Sequence, residues 1–216
     1  MRRSQAFAAL LLMPLIALGC SGNPQPEPVQ PVVEPTPPPP PPPDDSAQRE
    51  AAASRLCDRA ASAMQSGDYA TAADILQQVV RDYPGTECAE LAPDRIARAR
   101  AGVVITTRIH FDFNLAQITD ESASILREKA DALRAYPDVM LTIEGHCDER
   151  GSLEYNQALG LRRAQAAVAY LKSLGLDESR FRTVTFGEER PIAVGSNENA
   201  WRQNRRDEFV ITAGDL

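Results

Sequence analysis

The sequence predicts an α+β protein. A C-terminal domain of alternating strands and helices forms a mixed sheet covered by helices on one face, and a small all-α module and a proline-rich tether precede it. Three observations predict this order. Twelve of the 17 prolines lie between Pro24 and Pro43, with Pro37 to Pro43 unbroken. Each proline removes an N–H and clashes with the preceding turn, so neither a helix nor a central strand forms there. From Ala47 to Arg100 apolar residues recur at helical spacing, and from Val103 to Leu216 β-branched runs alternate with long amphipathic stretches. The predicted boundaries are 1–19 for an export signal, 20–46 for the tether, 47–101 for the helical module and 102–216 for the mixed domain.

The first segment is an address. Met1-Arg2-Arg3 is basic, and Ala6 to Leu18 is an apolar stretch of 13 residues, too short to span a hydrocarbon core of ~30 Å as a helix. It closes on Ile16-Ala17-Leu18-Gly19-Cys20. This resembles a bacterial lipoprotein signal peptide, with Ala17 standing where leucine is usual. The resemblance implies that Cys20 is lipidated and becomes the first mature residue, and that Ser21 after it favours the outer membrane. The tether from Ser21 to Ser46 has 26 residues. As polyproline II at ~3.1 Å per residue it reaches roughly 80 Å.

The helical module carries Ala52, Leu56, Ala60, Ala63 and Met64 at helical spacing, a break at Ser66-Gly67-Asp68, and a second stripe from Tyr69 to Val80 that ends at Tyr83-Pro84-Gly85. A third helix spans Glu87 to Arg100, with Pro93 starting or kinking it. The second segment resembles a tetratricopeptide repeat, but only about one and a half repeats fit where solenoids need three. A plain hairpin explains the pattern almost as well. After export, Cys57, Cys88 and Cys147 sit where disulfides persist. Their number allows one intramolecular bridge, and Cys57 with Cys88, in the same module, is the favoured pair. No CxxC is present and only two histidines exist, so neither a zinc cluster nor any other cofactor is expected.

In the mixed domain, Val103 to Phe111 is β-branched and aromatic and reads as a strand. Thr119 caps a helix that runs to Tyr136, before Pro137. Val139 to Gly145 alternates Val139, Leu141 and Ile143 inward as a strand. Ser152 to Leu174 is a long amphipathic helix that stops at Gly175. Arg182 to Phe186 is a strand, a helical turn surrounds Trp201, and Phe209 to Thr212 is the last strand.

The loop after the second strand reads Gly145-His146-Cys147-Asp148-Glu149-Arg150-Gly151, and the next helix carries Asn156, Leu159 and Arg163 on one face. A loop carboxylate and a helix guanidinium therefore converge at one end of the sheet. Such a pair either forms a salt bridge that holds the loop or stays open and grips a zwitterion, Asp148 taking an ammonium and Arg163 a carboxylate in bidentate fashion. Spacing leaves both open. Catalysis is disfavoured: adjacent His146 and Cys147 point to opposite sides, and Asp148 and Glu149 are too close in sequence to flank a glycosidic bond. A net charge of −7 argues against nucleic acid as a partner.

Ile109-His110-Phe111-Asp112-Phe113-Asn114, Glu144 to Gly151, Tyr155-Asn156, Leu159-Gly160, Arg162-Arg163-Ala164 and Asn204-Arg205-Arg206 together resemble the OmpA-like peptidoglycan-binding domain, from Thr107 to Ile211. The resemblance implies a non-enzymatic protein that binds the diaminopimelate of the peptidoglycan stem peptide. Asp148 would hold the amino group and Arg163 the carboxylate. Phe113 and Asn114 would offer backbone hydrogen bonds, and His146, Arg150 and Leu159 would complete the wall. Cys147 stands where the family has alanine or threonine, Ala167 where it has valine, and Asp207 where it prefers an apolar residue. Lipoprotein members tether the outer membrane to the wall from its periplasmic face and work with the Tol machinery in envelope integrity and cell division, which makes TolB an expected partner. The alternative is an envelope scaffold whose helical module docks another protein, with wall binding only as anchor.

Overall fold

The computed structural model describes residues 45–216. The export signal, Cys20 and nearly all of the tether lie outside the described residues. Among the described residues no helix is long and apolar enough to cross a membrane.

Three helices open the described chain: α1 (Ser46–Gln65), α2 (Tyr69–Asp82) and α3 (Glu87–Thr106). The side chains of Asp68 and Thr86 cap α2 and α3 by accepting from the N–H groups of Thr71 and Ala89. Ala53, Ala60, Ala72, Leu76, Val79 and Ala92 are buried between these helices. Small side chains there let the backbones approach closely. Cys57 on α1 and Cys88 on α3 form the disulfide, with their Cα atoms 6.3 Å apart. Gly102 lies under the ring of Tyr69, where an added Cβ would sit 2.4 Å from the ring.

α3 starts at Glu87 as expected, with Pro93 inside it, and departs from expectation at its C-terminal end. It runs through the boundary expected at 101/102, and the strand expected from Val103 is helical up to Thr106. The physical cause is tertiary. Ile105 is fully buried in the core of the mixed domain. The fully buried Lys129 donates to the terminal carbonyls of Val104 (3.0 Å) and Ile105 (2.7 Å) and to that of Thr107. A cation on the carbonyl end of a helix satisfies groups that otherwise have no partner, and this outweighs the β-branched preference of Val103-Val104-Ile105.

The mixed domain follows as β1 (Ile109–His110), α4 (Asp120–Ala135), β2 (Met140–His146), α5 (Leu153–Ser173), a short 3₁₀ turn, β3 (Phe181–Gly187), α6 (Glu198–Asn204) and β4 (Arg206–Ala213). The sheet order is β1-β4-β2-β3. β2 and β3 are parallel, joined by the crossover through α5, and β4 runs antiparallel to β1 and β2. The last strand begins at Arg206, earlier than the expected Phe209, because Asp207 pairs with Ile109 on one side and Gly145 on the other. Leu126 and Leu133 of α4, Leu141 and Ile143 of β2, Leu171 of α5 and Phe209 of β4 share one core. Each fully buried side chain of this size contributes about 1.5–3 kcal/mol.

Two features of β2 set up the site. Its residues alternate, so Leu141, Ile143 and Gly145 face the helices while Thr142, Glu144 and His146 face the other side. And α5 lies directly on the backbone of β2: a Cβ on Gly145 would come within 1.9 Å of the Gly160 carbonyl oxygen. That close approach brings Arg163, one turn further along α5, over the end of the strand.

Candidate functional site

Beyond β2, the β1–α4 loop, the β2–α5 loop and the start of α5 enclose a cavity of about 460 Å³. Of the residues expected at the site, Phe113, Asn114, Asp148, Arg150, Leu159 and Arg163 line it. His146 does not, and its expected place in the wall is corrected. As an even-parity residue of β2 its ring points away from the helices, where it stacks on Phe186 at 5.5 Å. Only its carbonyl turns toward the cavity side, accepting from Arg163 Nη1 at 2.8 Å.

Arg163 is fully buried. Nε donates to the Leu115 carbonyl at 2.9 Å, Nη2 to the Asp112 carbonyl at 3.1 Å, and Nη1 to the His146 carbonyl and, at 3.5 Å, to Cys147 Sγ. Burial pulls its pKa down, with opposing help from Cys147, Asp207 and Asp148, but a guanidinium stays charged in proteins. Arg163 thus pins the loop after β1 to the end of β2. Four of its five N–H donors are engaged within the protein.

Asp148 is also buried. Its Oδ1 accepts from Arg150 N (3.1 Å) and Nε (3.2 Å), and its Oδ2 from Arg150 Nη2 (2.7 Å) and Arg205 Nη1 (3.1 Å). The partner of Asp148 is therefore not Arg163, and the salt bridge that spacing left open between them is absent. Burial pulls the Asp148 carboxyl upward, but the hydrogen bonds from Arg150 and Arg205 outweigh it and hold the group below the usual carboxylate range. Arg150 is clamped between the rings of Phe113 (3.8 Å) and Trp201 (4.0 Å). Arg205 also bonds Glu198 at 2.6 Å. Asn114 takes the left-handed backbone conformation, φ 59°, and accepts from the Tyr155 hydroxyl.

Cys147, Gly151, Tyr155 and Asn156 complete the lining. Asn156 was placed on the right helix face by its spacing from Leu159 and Arg163. It holds the loop by donating to the carbonyls of Asp148 (3.2 Å) and Arg150 (3.3 Å). Arg205 and Trp201 were not assigned a part in the site. They reach it from α6 and its C-terminal end, about 50 residues away along the chain, and no local spacing marks that. Cys147 is buried and unbridged, and burial pushes its thiol pKa up to about 11. Its side chain packs next to Arg163.

Comparison with known proteins adds a second line. The model of the OmpA family matches residues 110–205. The peptidoglycan-associated lipoprotein of Brucella melitensis is 45% identical over 109 residues, 50% of this chain and 65% of that protein. The chain thus spans less than two thirds of the length of this relative. The peptidoglycan-associated lipoprotein of Pseudomonas putida is 38% identical over 118 residues, 55% of this chain and 70% of that protein. Among solved structures, the peptidoglycan-associated lipoprotein from Burkholderia pseudomallei is 37% identical and covers 49% of this chain and 89% of that one, with a TM-score of 0.47.

Proposed function

Because the chain belongs to the OmpA family, we propose that it anchors the bacterial envelope by holding peptidoglycan without covalent chemistry. The ligand in this reading is the zwitterionic end of the diaminopimelate in the stem peptide. The observation that carries it is one cavity of about 460 Å³ whose wall holds a buried carboxylate, Asp148, and a buried guanidinium, Arg163, that are not paired with each other. Two unlike charges kept apart in one small cavity suit a ligand that carries both charges itself.

The hydrogen-bond pattern suggests how the ligand enters. Ionised Asp148 offers about four lone-pair positions, and all are taken in the free protein. The ligand ammonium therefore replaces Arg150, which is the more exposed of the two arginine partners, while Arg205 stays. The ligand carboxylate takes the remaining Nη2–H of Arg163. Phe113, half exposed at the mouth, and the apolar side of Leu159 cover the aliphatic chain between the two ends.

Lipidation of Cys20 would hold the chain in the outer membrane, and the tether would let the domain reach the wall. Many anchored copies on one polymer bind multivalently, so modest single-site affinity suffices. The names of the relatives support this reading, and a role beside the Tol proteins, with TolB as partner, rests on the family alone.

Calorimetric titration with a soluble diaminopimelate stem peptide tests the site. One molecule is expected to bind per chain, and Asp148→Asn should weaken it at least tenfold, about 1.4 kcal/mol. Equal binding by a peptide with lysine in place of diaminopimelate, or no loss in the Asn variant, would contradict the reading.

A further inference from the structure

His146, turned away from the cavity, is left with a chemical problem. It is buried, and neither ring nitrogen has a hydrogen-bond partner among the described residues. Buried polar atoms are almost always satisfied, and an orphan of this kind asks for an unseen partner. Its neighbours narrow the choice. Glu144 lies two residues before it on the same face of β2, and Glu208 of β4 stands directly opposite Glu144 in the register. Like charges directly opposite on neighbouring strands destabilise a sheet. One donor atom from each of the three residues lies within 4.8 Å of the others, and His146 Nε2 is 3.9 Å from Glu144 Oε2.

We propose that Glu144, His146 and Glu208 form a divalent-cation site on the face of the sheet opposite the helices, with a donor set that favours zinc. One imidazole nitrogen and two carboxylate oxygens suit Zn²⁺, and water would take the fourth tetrahedral position. Mg²⁺ and Ca²⁺ prefer oxygen alone and more ligands. Four-coordinate zinc sets its ligands about 3.3 Å apart, so the three donors draw in by roughly 1 Å. Rotation of the Glu144 side chain, whose carboxylate is not fully buried, supplies most of that movement.

The surrounding charges work both ways. Arg108 and Arg206 both donate to Glu208 Oε1, at 3.0 and 2.7 Å. They fix the carboxylate and leave Oε2 for the ion, as outer-shell partners do in metal sites. They also repel a cation, as does Arg190 over Phe186, which makes both carboxylates necessary. The expectation of no metal rested on counting histidines. Strand pairing supplies the carboxylates that the count could not. His146 joins this site to the cavity, since its carbonyl anchors Arg163.

The test is Zn²⁺ binding by the purified full chain at neutral pH, in competition with a chromogenic chelator. One Zn²⁺ per chain is expected, with Tm rising on addition. Glu144→Gln and, separately, His146→Gln should weaken binding at least about tenfold, whereas His110→Gln should leave it unchanged. If His146→Gln fails to fold, the half-buried Glu144→Gln still decides. No binding up to about 100 µM Zn²⁺, or unchanged binding by Glu144→Gln, overturns the proposal. The readout needs no wall ligand, so its failure leaves the stem-peptide reading untouched.

Discussion

Arg163 pins the loop after β1 to the end of β2, and in the proposed function the same side chain meets a ligand carboxylate. Three backbone carbonyls from two segments converge on Arg163, which is why an interior cation is tolerated. Lysine keeps the charge, but its single nitrogen cannot reach carbonyls that three separate guanidinium nitrogens meet around a planar fork. Arg163→Lys is therefore expected to cost about 2 to 4 kcal/mol of stability, read from the urea midpoint at unchanged slope. Asp207 is a second buried ionisable group, with a weaker solution. Neither of its oxygens has a hydrogen-bond partner, and burial pushes its carboxyl well above the usual range, with Arg163 pulling the other way. The folded chain thus keeps a proton that the unfolded chain releases near pH 4. Stability from this group is full below that pH and falls as pH rises toward the folded pKa. Asp207→Asn should melt higher than wild type, by a margin that widens from about pH 4 toward neutrality; a constant or reversed margin across a pH series would count against this. At this scale the sequence was informative about Asp148 and Arg163, whose motif positions are distinctive. It misled at His146 because a loop motif hides strand parity, although counting back through Gly145, Ile143 and Leu141 would have revealed it.

Among the elements, α5 on β2 decides whether the site exists. Gly145 and Gly160 meet backbone to backbone, and a Cβ on Gly160 would lie 2.4 Å from Thr185 Oγ1. Gly160→Ala should lift α5 from the sheet, cost about 1–3 kcal/mol or more, and weaken stem-peptide binding along with it, because Arg163 travels with the helix. Melting and calorimetry on the same sample check both. The helices α4 and α5 were readable from periodicity, with Thr119 at the N-cap of α4 as expected; Ser152, expected as the first residue of α5, is its N-cap. The end of α3 was not readable. Val103-Val104-Ile105 has strand composition, and the Lys129 ammonium that holds it helical sits more than 20 residues away in the chain.

For the whole molecule, Lys129 is the fastener between the helical module and the sheet domain. It holds the end of α3 and lies 4.1 Å from the ring centroid of Phe209 on β4. Lys129→Met fills the space but leaves those carbonyls without a donor. Its unfolding should split into two transitions where wild type has one; a single transition at lower midpoint would mean the two parts are coupled by packing alone. Opening the Cys57–Cys88 bridge, with a sequence separation of 31, should cost the helical module about 3 to 4 kcal/mol by the loop-closure model. Mild reduction followed by a thermal scan reads this directly.

The central claim is that one cavity, with Asp148 and Arg163 in its wall, holds the chain to the cell wall. Co-sedimentation with purified sacculi tests it most directly, using wild type, Asp148→Asn and Arg163→Lys, each first verified as folded by its melting curve. Wild type should pellet with the sacculi and both folded variants should stay largely in the supernatant. Undiminished pelleting of both variants would contradict the account.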